Sequence, residues 1–215
     1  MLLLLDMIYL IITTCIHNRF GIQNYDKRKE EYLSAITESI RHFPVEINPI
    51  IVENSTVSPT YLENFQHNGE YIPVLYTSNN DRNIKNKGAT ELLDLKDAIQ
   101  HFNIKDDDMI IKLTGRYIIK SPLFLKEVIK HPEVSAFVKF FNVDNNKFNQ
   151  TDSVLGLYAV RASLLRYWSH LTMNYYPSAE VAFANHIRLH AQNIREINFL
   201  DLECVFADDY RHLHV

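Results

Sequence analysis

Residues 7–16, Met-Ile-Tyr-Leu-Ile-Ile-Thr-Thr-Cys-Ile, restrict the fold of this chain more than any other stretch. They carry no charge, which raises the question of a membrane. A bilayer-spanning helix needs about 20 apolar residues, and this run is half that length. A secretory signal needs a basic start and a small-residue cleavage site. Here Asp6 precedes the run, and His17-Asn18-Arg19-Phe20 follow it. The β-branched and aromatic segment Ile8-Tyr9-Leu10-Ile11-Ile12 predicts instead a strand buried on both faces. Residues 1–6 read as a short extension or an alternative start.

A strand buried on both faces implies partners, and the chain supplies them in alternation. Leu33, Ile36, Ile40 and Phe43 recur at helical spacing behind Asp26, a candidate cap, and Pro44 stops that helix. Residues 46–53 predict a second strand, and Ser58-Pro59 opens a short helix over 58–65. Residues 71–76 predict a third strand, and 88–103 a helix with Leu92, Leu95, Ile99 and Phe102 on one face. The run 109–113 predicts a fourth strand, and Ser121-Pro122 starts another helix. Strands follow over 134–141 and 153–160, helices over 161–173 and 178–191, and a last strand within 197–207. Such alternation predicts an α/β domain with a mostly parallel central sheet of about six or more strands, helices covering both faces. The loop over 142–152, where a helix would otherwise stand, allows an antiparallel pair. The whole of 1–215 reads as one domain, with a first half over about 7–120 and a second over about 121–215.

Composition narrows the partners. A net charge of −4 argues against a general nucleic-acid surface. Any phosphate must therefore be held by local Lys, Arg, backbone N–H groups or a metal. Cys15 and Cys204 each sit in apolar runs and read as reduced core thiols in a cytoplasmic protein. None of the five glycines forms a dinucleotide or P-loop pattern, and no G-x-S-x-G or H-E-x-x-H is present.

Open α/β sheets bind ligands beyond the carboxyl ends of their strands. The expected ends are polar: Thr13-Thr14 and Asn18-Arg19; Glu53-Asn54-Ser55; residues 77–82 leading to Asn86-Lys87-Gly88; and Thr114-Gly115-Arg116-Tyr117. These residue types also make ordinary turns, but four such ends on one rim predict a polar ligand site. A phosphate-bearing ligand at that rim needs nearby positive charge. Lys87, Arg82, Lys112 and Arg116 are the candidates, with Arg116 able to grip phosphate oxygens through paired N–H groups. Lys112, alternating in a strand, also suits a solvent-facing position.

Asn86-Lys87-Gly88-Ala-Thr-Glu91, followed by a helix and then by residues 110–117 (IIKLTGRY), resembles small glycosyltransferases of the GT-A fold. The likeness extends to the amino-terminal domain of chlorovirus-encoded capsid-glycan glycosyltransferases, over most of the chain. It implies a UDP-sugar donor, Mn²⁺ or Mg²⁺, and a glycan or glycoprotein acceptor. It places Thr13, Thr14 and Arg19 beside the base or ribose, and makes Glu53 or Asn54 the ribose acceptor. Family members commonly carry a D-x-D carboxylate pair for the metal, whereas this chain reads Thr114-Gly115-Arg116 after the fourth strand. Asn79 and Asp81 offer oxygen ligands at the expected rim. Asp208, Asp209, His212 and His214 could fold back to join them, or form a polar tail. The turn Asp106-Asp107-Asp108 precedes its strand and lies at the wrong end. For the acceptor proton, Glu180 is the first candidate base, with Asp152 and Glu91 next, although a first-turn Glu also suits the helix dipole. Tyr167, Trp168, Tyr175 and Tyr176 could stack on a sugar or fill a core. A non-catalytic glycan- or partner-binding domain on the same scaffold is the alternative reading.

Overall fold

The computed structural model describes residues 6–19, 23–56, 59, 61–81 (of Asp81 the backbone), 84, 86–206 and 211–215. In chain order the elements are β1 (Ile8–Thr14), α1 (Tyr25–Ile40), β2 (Ile47–Glu53), β3 (Gln66–His67), β4 (Glu70–Tyr71), β5 (Val74–Tyr76) and α2 (Lys87–His101). They continue with β6 (Met109–Thr114), β7 (Ile118–Ile119), α3 (Leu123–Lys130), β8 (Ala136–Val138), β9 (Leu157–Arg161) and α4 (Ala162–Arg166). The last are α5 (Ala179–His190), β10 (Ile194–Glu196), β11 (Leu202–Val205) and β12 (His212–His214).

Among the described residues seven strands form one sheet in the order β10-β8-β9-β6-β1-β2-β5. The apolar run of residues 7–16 supplies its β1, which pairs in parallel with β2 on one side and with β6 on the other. Leu10, Ile11 and Ile12 are fully buried, as a strand covered on both faces requires. Only β9 runs against its neighbours, antiparallel to both β6 and β8. The loop joining β8 to β9 allows this reversal, because antiparallel strands need no crossover helix.

Side chains alternate across each strand, so the sheet feeds two cores. Leu10, Ile12, Ile111 and Leu113 pack with Tyr32 and Ile36 of α1 and with Phe124, Leu125 and Val128 of α3. On the opposite face Ile11, Val52 and Ile110 pack with Leu92, Leu95 and Ile99 of α2 and with Ala182, Phe183 and Ile187 of α5. Among the described residues no helix is long and apolar enough to cross a membrane.

Several local expectations change. Asn24, rather than Asp26, caps α1 and accepts from the Lys27 N–H at 3.1 Å, because the helix begins at Tyr25 and places Asp26 in its first turn. The expected helix over 58–65 does not form over its described residues, and Ser58 lies outside them. The expected third strand divides: Tyr71 pairs with Gln66 in a hairpin, and Val74–Tyr76 joins the main sheet. Asn68 and Gly69 turn that hairpin with positive φ of 53° and 83°, the pairing that Asn-Gly favours. The expected helix over 161–173 becomes α4 and a separate 3₁₀ segment, His170–Tyr175. A second sheet, β12-β11-β7, closes over the carboxyl ends of the strands.

Candidate functional site

A cavity of about 550 Å³ opens where β1, β2 and β6 end. The first turns of α2 and α5 form one wall, and residues 153–156 ahead of β9 form another. A Cβ on Gly88 would run into Ala179, so this glycine lets the two helix starts meet. A Cβ on Gly115 would stand 2.8 Å from the Thr14 methyl and 3.0 Å from the Thr13 carbonyl. The glycines of both family-like motifs thus bring rim segments together.

The strand ends behave differently from one another. Thr13 Oγ1 donates to Glu91 Oε1 at 2.6 Å, and Thr14 Oγ1 to Glu53 Oε2 at 2.9 Å. Glu53 is fully buried and also accepts from the N–H groups of Ile16 and Ser55 at 3.1 and 3.0 Å and from the Ser55 hydroxyl. A buried carboxylate needs such donors, and they turn Glu53 into the protein instead of toward a ribose. Asn54 does border the cavity. The end of β5 departs from the shared rim: Thr77 Oγ1 and Asn79 Nδ2 donate to Asp94 at 2.9 and 2.8 Å beneath α2. Burial pushes the Asp94 carboxyl up to about 7, against the pull of its amide and hydroxyl donors.

Lys112, expected to suit solvent, is fully buried because α2 and the segment before β9 cover its face of the sheet. Its Nζ lies 2.8 Å from Glu91 Oε1 and donates to Thr114 Oγ1 and the Leu155 carbonyl at 2.6 and 2.7 Å. Arg116 is buried too; Nη1 donates to the Val205 carbonyl at 2.5 Å, while Nε has no partner among the described residues. Arg28 of α1 donates twice to the Cys15 carbonyl, at 3.1 and 2.7 Å, and to the Tyr32 hydroxyl at 3.0 Å. Sequence reasoning missed Arg28, although it stands four residues before Tyr32 on the buried stripe of α1. Arg19 and Lys87 also line the cavity, and Arg19 Nη1 donates to the Asn80 carbonyl at 3.0 Å. Arg82 lies outside the described residues.

The three candidate bases separate. Glu91 lines the cavity but is held by Thr13 and Lys112. Asp152 accepts from Asn142 Nδ2 and the Ser153 N–H at 2.7 and 2.8 Å and serves a loop instead of the cavity. Glu180, in the first turn of α5 behind the Ser178 cap, borders the cavity.

The expected metal set is not brought together. Asn79 points its amide nitrogen at Asp94 and Asp97. His212 and His214 pair with Glu203 and Asp201, each at 3.0 Å, on the face of the β11–β12 ribbon opposite Cys204, which lines the cavity. The Asp81 side chain and Asp208 and Asp209 lie outside the described residues. Among the described residues no three His, Cys, Asp or Glu side chains group to hold a metal ion. The Asp106–Asp108 turn stands at the opposite end of the sheet, where Asp108 is buried because it accepts from the Met7 and Lys105 N–H groups. Trp168 is a core residue stacked on His186 with 4.5 Å between ring centres, whereas Tyr167 and Tyr175 are exposed. Cys15 and Cys204 are unbonded, and burial pushes both thiols up to about 12.

Comparison with solved structures places this architecture. The crystal structure of S. aureus TarS 1–349 matches with a TM-score of 0.54 at 15% identity, over 89% of this chain and 58% of that one. The galactosyltransferase LgtC in complex with donor and acceptor sugar analogs matches with a TM-score of 0.55 at 11% identity, over 88% of this chain and 73% of LgtC. The fold is GT-A-like. The chain spans little more than half the length of TarS 1–349. No protein-family model and no curated protein sequence matches the chain. At these identities the likeness is one of fold, and the chemistry rests on the cavity.

Proposed function

We propose that the chain transfers a sugar from a nucleoside-diphosphate donor, with uridine as the nucleoside, to a hydroxyl of a glycan or glycoprotein. One observation carries this reading. Arg19, Arg28, Lys87, Lys112 and Arg116 border the cavity against only Glu91 and Glu180 among its described carboxylates, in a chain of net charge −4. Positive charge concentrated in one concave site of an acidic protein suits a diphosphate. LgtC, of like fold, is described with donor and acceptor sugar analogs. The chlorovirus resemblance adds a capsid glycan as the acceptor.

In this reading Thr13, Thr14, Arg19 and Asn54 surround the nucleoside. Arg116 and Lys87 hold the diphosphate as negative charge grows on it. Glu180 takes the acceptor proton as the new bond from oxygen to the anomeric carbon forms and the bond to the leaving phosphate breaks. Lys112 keeps Glu91 in place. The Mn²⁺ or Mg²⁺ of the resemblance has no fitting site in Asn79, His212 and His214.

The test is thermal denaturation with UDP, GDP or CMP, each with Mn²⁺ and with EDTA, followed by detection of UDP released from UDP-sugars. UDP should raise the melting temperature most, and Glu180→Gln should keep that shift while losing UDP release. Equal shifts for all three nucleotides would remove the uridine assignment. Binding without release in the unaltered chain would support the non-catalytic alternative, for which the absent D-x-D pair at Thr114-Gly115-Arg116 leaves room.

A further inference from the structure

Where the resemblance calls for a carboxylate pair to hold a divalent cation, just after β6, this chain places a cation of its own. Arg116 stands two residues beyond β6, is more than nine-tenths buried and borders the cavity. The Gly115 N–H donates to the Thr13 carbonyl at 2.9 Å, so the chain leaves β6 against the end of β1. Arg116 Nη1 is taken by the Val205 carbonyl; Nη2 has no partner among the described residues and, unlike Nε, is not enclosed. Arg28 reaches the same region: both guanidinium groups oppose the rise that burial imposes on the Cys15 thiol and the Tyr32 hydroxyl. Beneath the rim Lys112 is closed off, its three N–H groups spent on Glu91, Thr114 and the Leu155 carbonyl. The nearby carboxylates are committed as well, Glu53 to Thr14, Ile16 and Ser55, and Glu91 to Thr13 and Lys112. Five cationic side chains against two carboxylates leave three positive charges unmatched among the described residues of the cavity. Such a site repels a divalent cation and attracts a diphosphate.

We propose that Arg116 takes the place of the divalent cation, so that this chain binds a nucleoside diphosphate, and lets it leave, without a metal ion. The inference rests on the nucleotide-sugar reading, deepens it and departs from the resemblance on the metal. A guanidinium meets phosphate oxygens through directed, charge-assisted N–H bonds. As the bond from the anomeric carbon to the phosphate oxygen breaks, its electron pair stays on that oxygen, beside the Arg116 charge. The acceptor oxygen bonds to the anomeric carbon and gives its proton to Glu180. The bond to Val205 holds the guanidinium in place before the ligand arrives, which lowers the cost of ordering it. Lys112 adds positive charge behind the rim and keeps Glu91 engaged, away from any cation.

The experiment is calorimetric titration of the full chain with UDP in EDTA, in Mg²⁺ and in Mn²⁺, with UDP release from UDP-sugars followed in the same buffers. The unaltered chain should bind UDP in EDTA within about threefold of its affinity with either ion, and should release UDP in all three buffers. Arg116→Ala should weaken binding in EDTA by about tenfold or more, the scale of a lost charge-assisted hydrogen bond. Arg116→Lys keeps the charge without the fork and should bind between the two. Mn²⁺ should restore neither variant. A gain of about tenfold or more with Mn²⁺ or Mg²⁺ in the unaltered chain overturns the inference and leaves the sugar-transfer reading standing. So does UDP release that stops in EDTA while UDP still binds. UDP affinity in EDTA that neither substitution moves also overturns it, and a lowered melting temperature alone then marks Arg116 as merely structural. Binding of no nucleoside diphosphate in any buffer overturns both readings.

Discussion

The two ends of the central sheet carry the same kinds of residue and use them in opposite ways. At the amino ends of β1 and β6 the charged groups satisfy one another. Asp108 accepts from two backbone N–H groups, and Asp106 pairs with Arg166 at 2.6 Å and accepts from the Tyr167 hydroxyl at 2.8 Å. Arg161 is spent on Asp6 and on the Asp107 and Pro132 carbonyls. At the carboxyl ends the polar groups are more deeply buried, yet Arg116 Nε and Asn54 Oδ1 lack partners among the described residues. Only at the carboxyl ends do Arg19, Arg28, Lys87, Lys112 and Arg116 border one cavity, which marks that rim as the end shaped for something outside the chain. Charge alone does not distinguish a site; cationic groups gathered at one cavity do.

The contrast can be broken most strongly through pH. Burial lifts Asp94 from its ordinary 3.8 to about 7, so its proton binds the folded chain more tightly than the unfolded one. The contribution is fully present below about pH 4 and is lost as pH rises through about 7. Stability of Asp94→Asn relative to the unaltered chain should therefore climb across that window, by at most about 1.4 kcal/mol per pH unit. At the other end Asp106 is lowered by its bonds to Tyr167 and Arg166, and Asp106→Asn should show the reverse trend, confined to acid pH. Urea titrations at several pH values would read both, and parallel slopes would erase the distinction.

Lys112→Met should cost about 2–3 kcal/mol in urea unfolding. This is below the full penalty for a broken buried ion pair, because Glu91 reaches the cavity and can rehydrate. A cost near zero would mean that the buried pair is not formed. Arg116→Ala should lower UDP and pyrophosphate affinity together by about tenfold or more, with a stability loss of about 1–2 kcal/mol from the bond to Val205. Arg166→Ala, at the self-satisfied end, should change stability by less than about 1 kcal/mol, since its ion pair is partly exposed, and should leave nucleotide affinity unaltered. Weaker UDP binding in that variant would undercut the comparison.

The sheet and its flanking helices were legible because β1, β2 and β6 are dominated by β-branched and other apolar residues and α2 carries an unbroken apolar stripe. What stayed hidden depends on contacts distant in sequence. Lys112 looked solvent-facing because the partners that let it be buried, Glu91 and the Leu155 carbonyl, are distant in sequence. Asn79 and Thr77 looked like rim ligands until α2 brought Asp94 beneath them. Arg28 was readable in principle, since its spacing to Tyr32 and Ile36 puts a guanidinium on the buried side of α1. The hairpin at Asn68-Gly69 was also readable from its Asn-Gly pair, which lies between the expected helix over 58–65 and the expected strand over 71–76. The pairing of His212 and His214 with Glu203 and Asp201 needed the register of β11 with β12, which no local pattern supplies.

The central claim is that one end of the sheet binds a nucleotide and the other does not. Amide hydrogen exchange with and without UDP tests it most directly. The account predicts slowed exchange over residues 13–18, 54–56, 86–91 and 114–117, with residues 104–108 and 161–167 unchanged. Protection confined to the second group, or none in the first at saturating UDP, would contradict it.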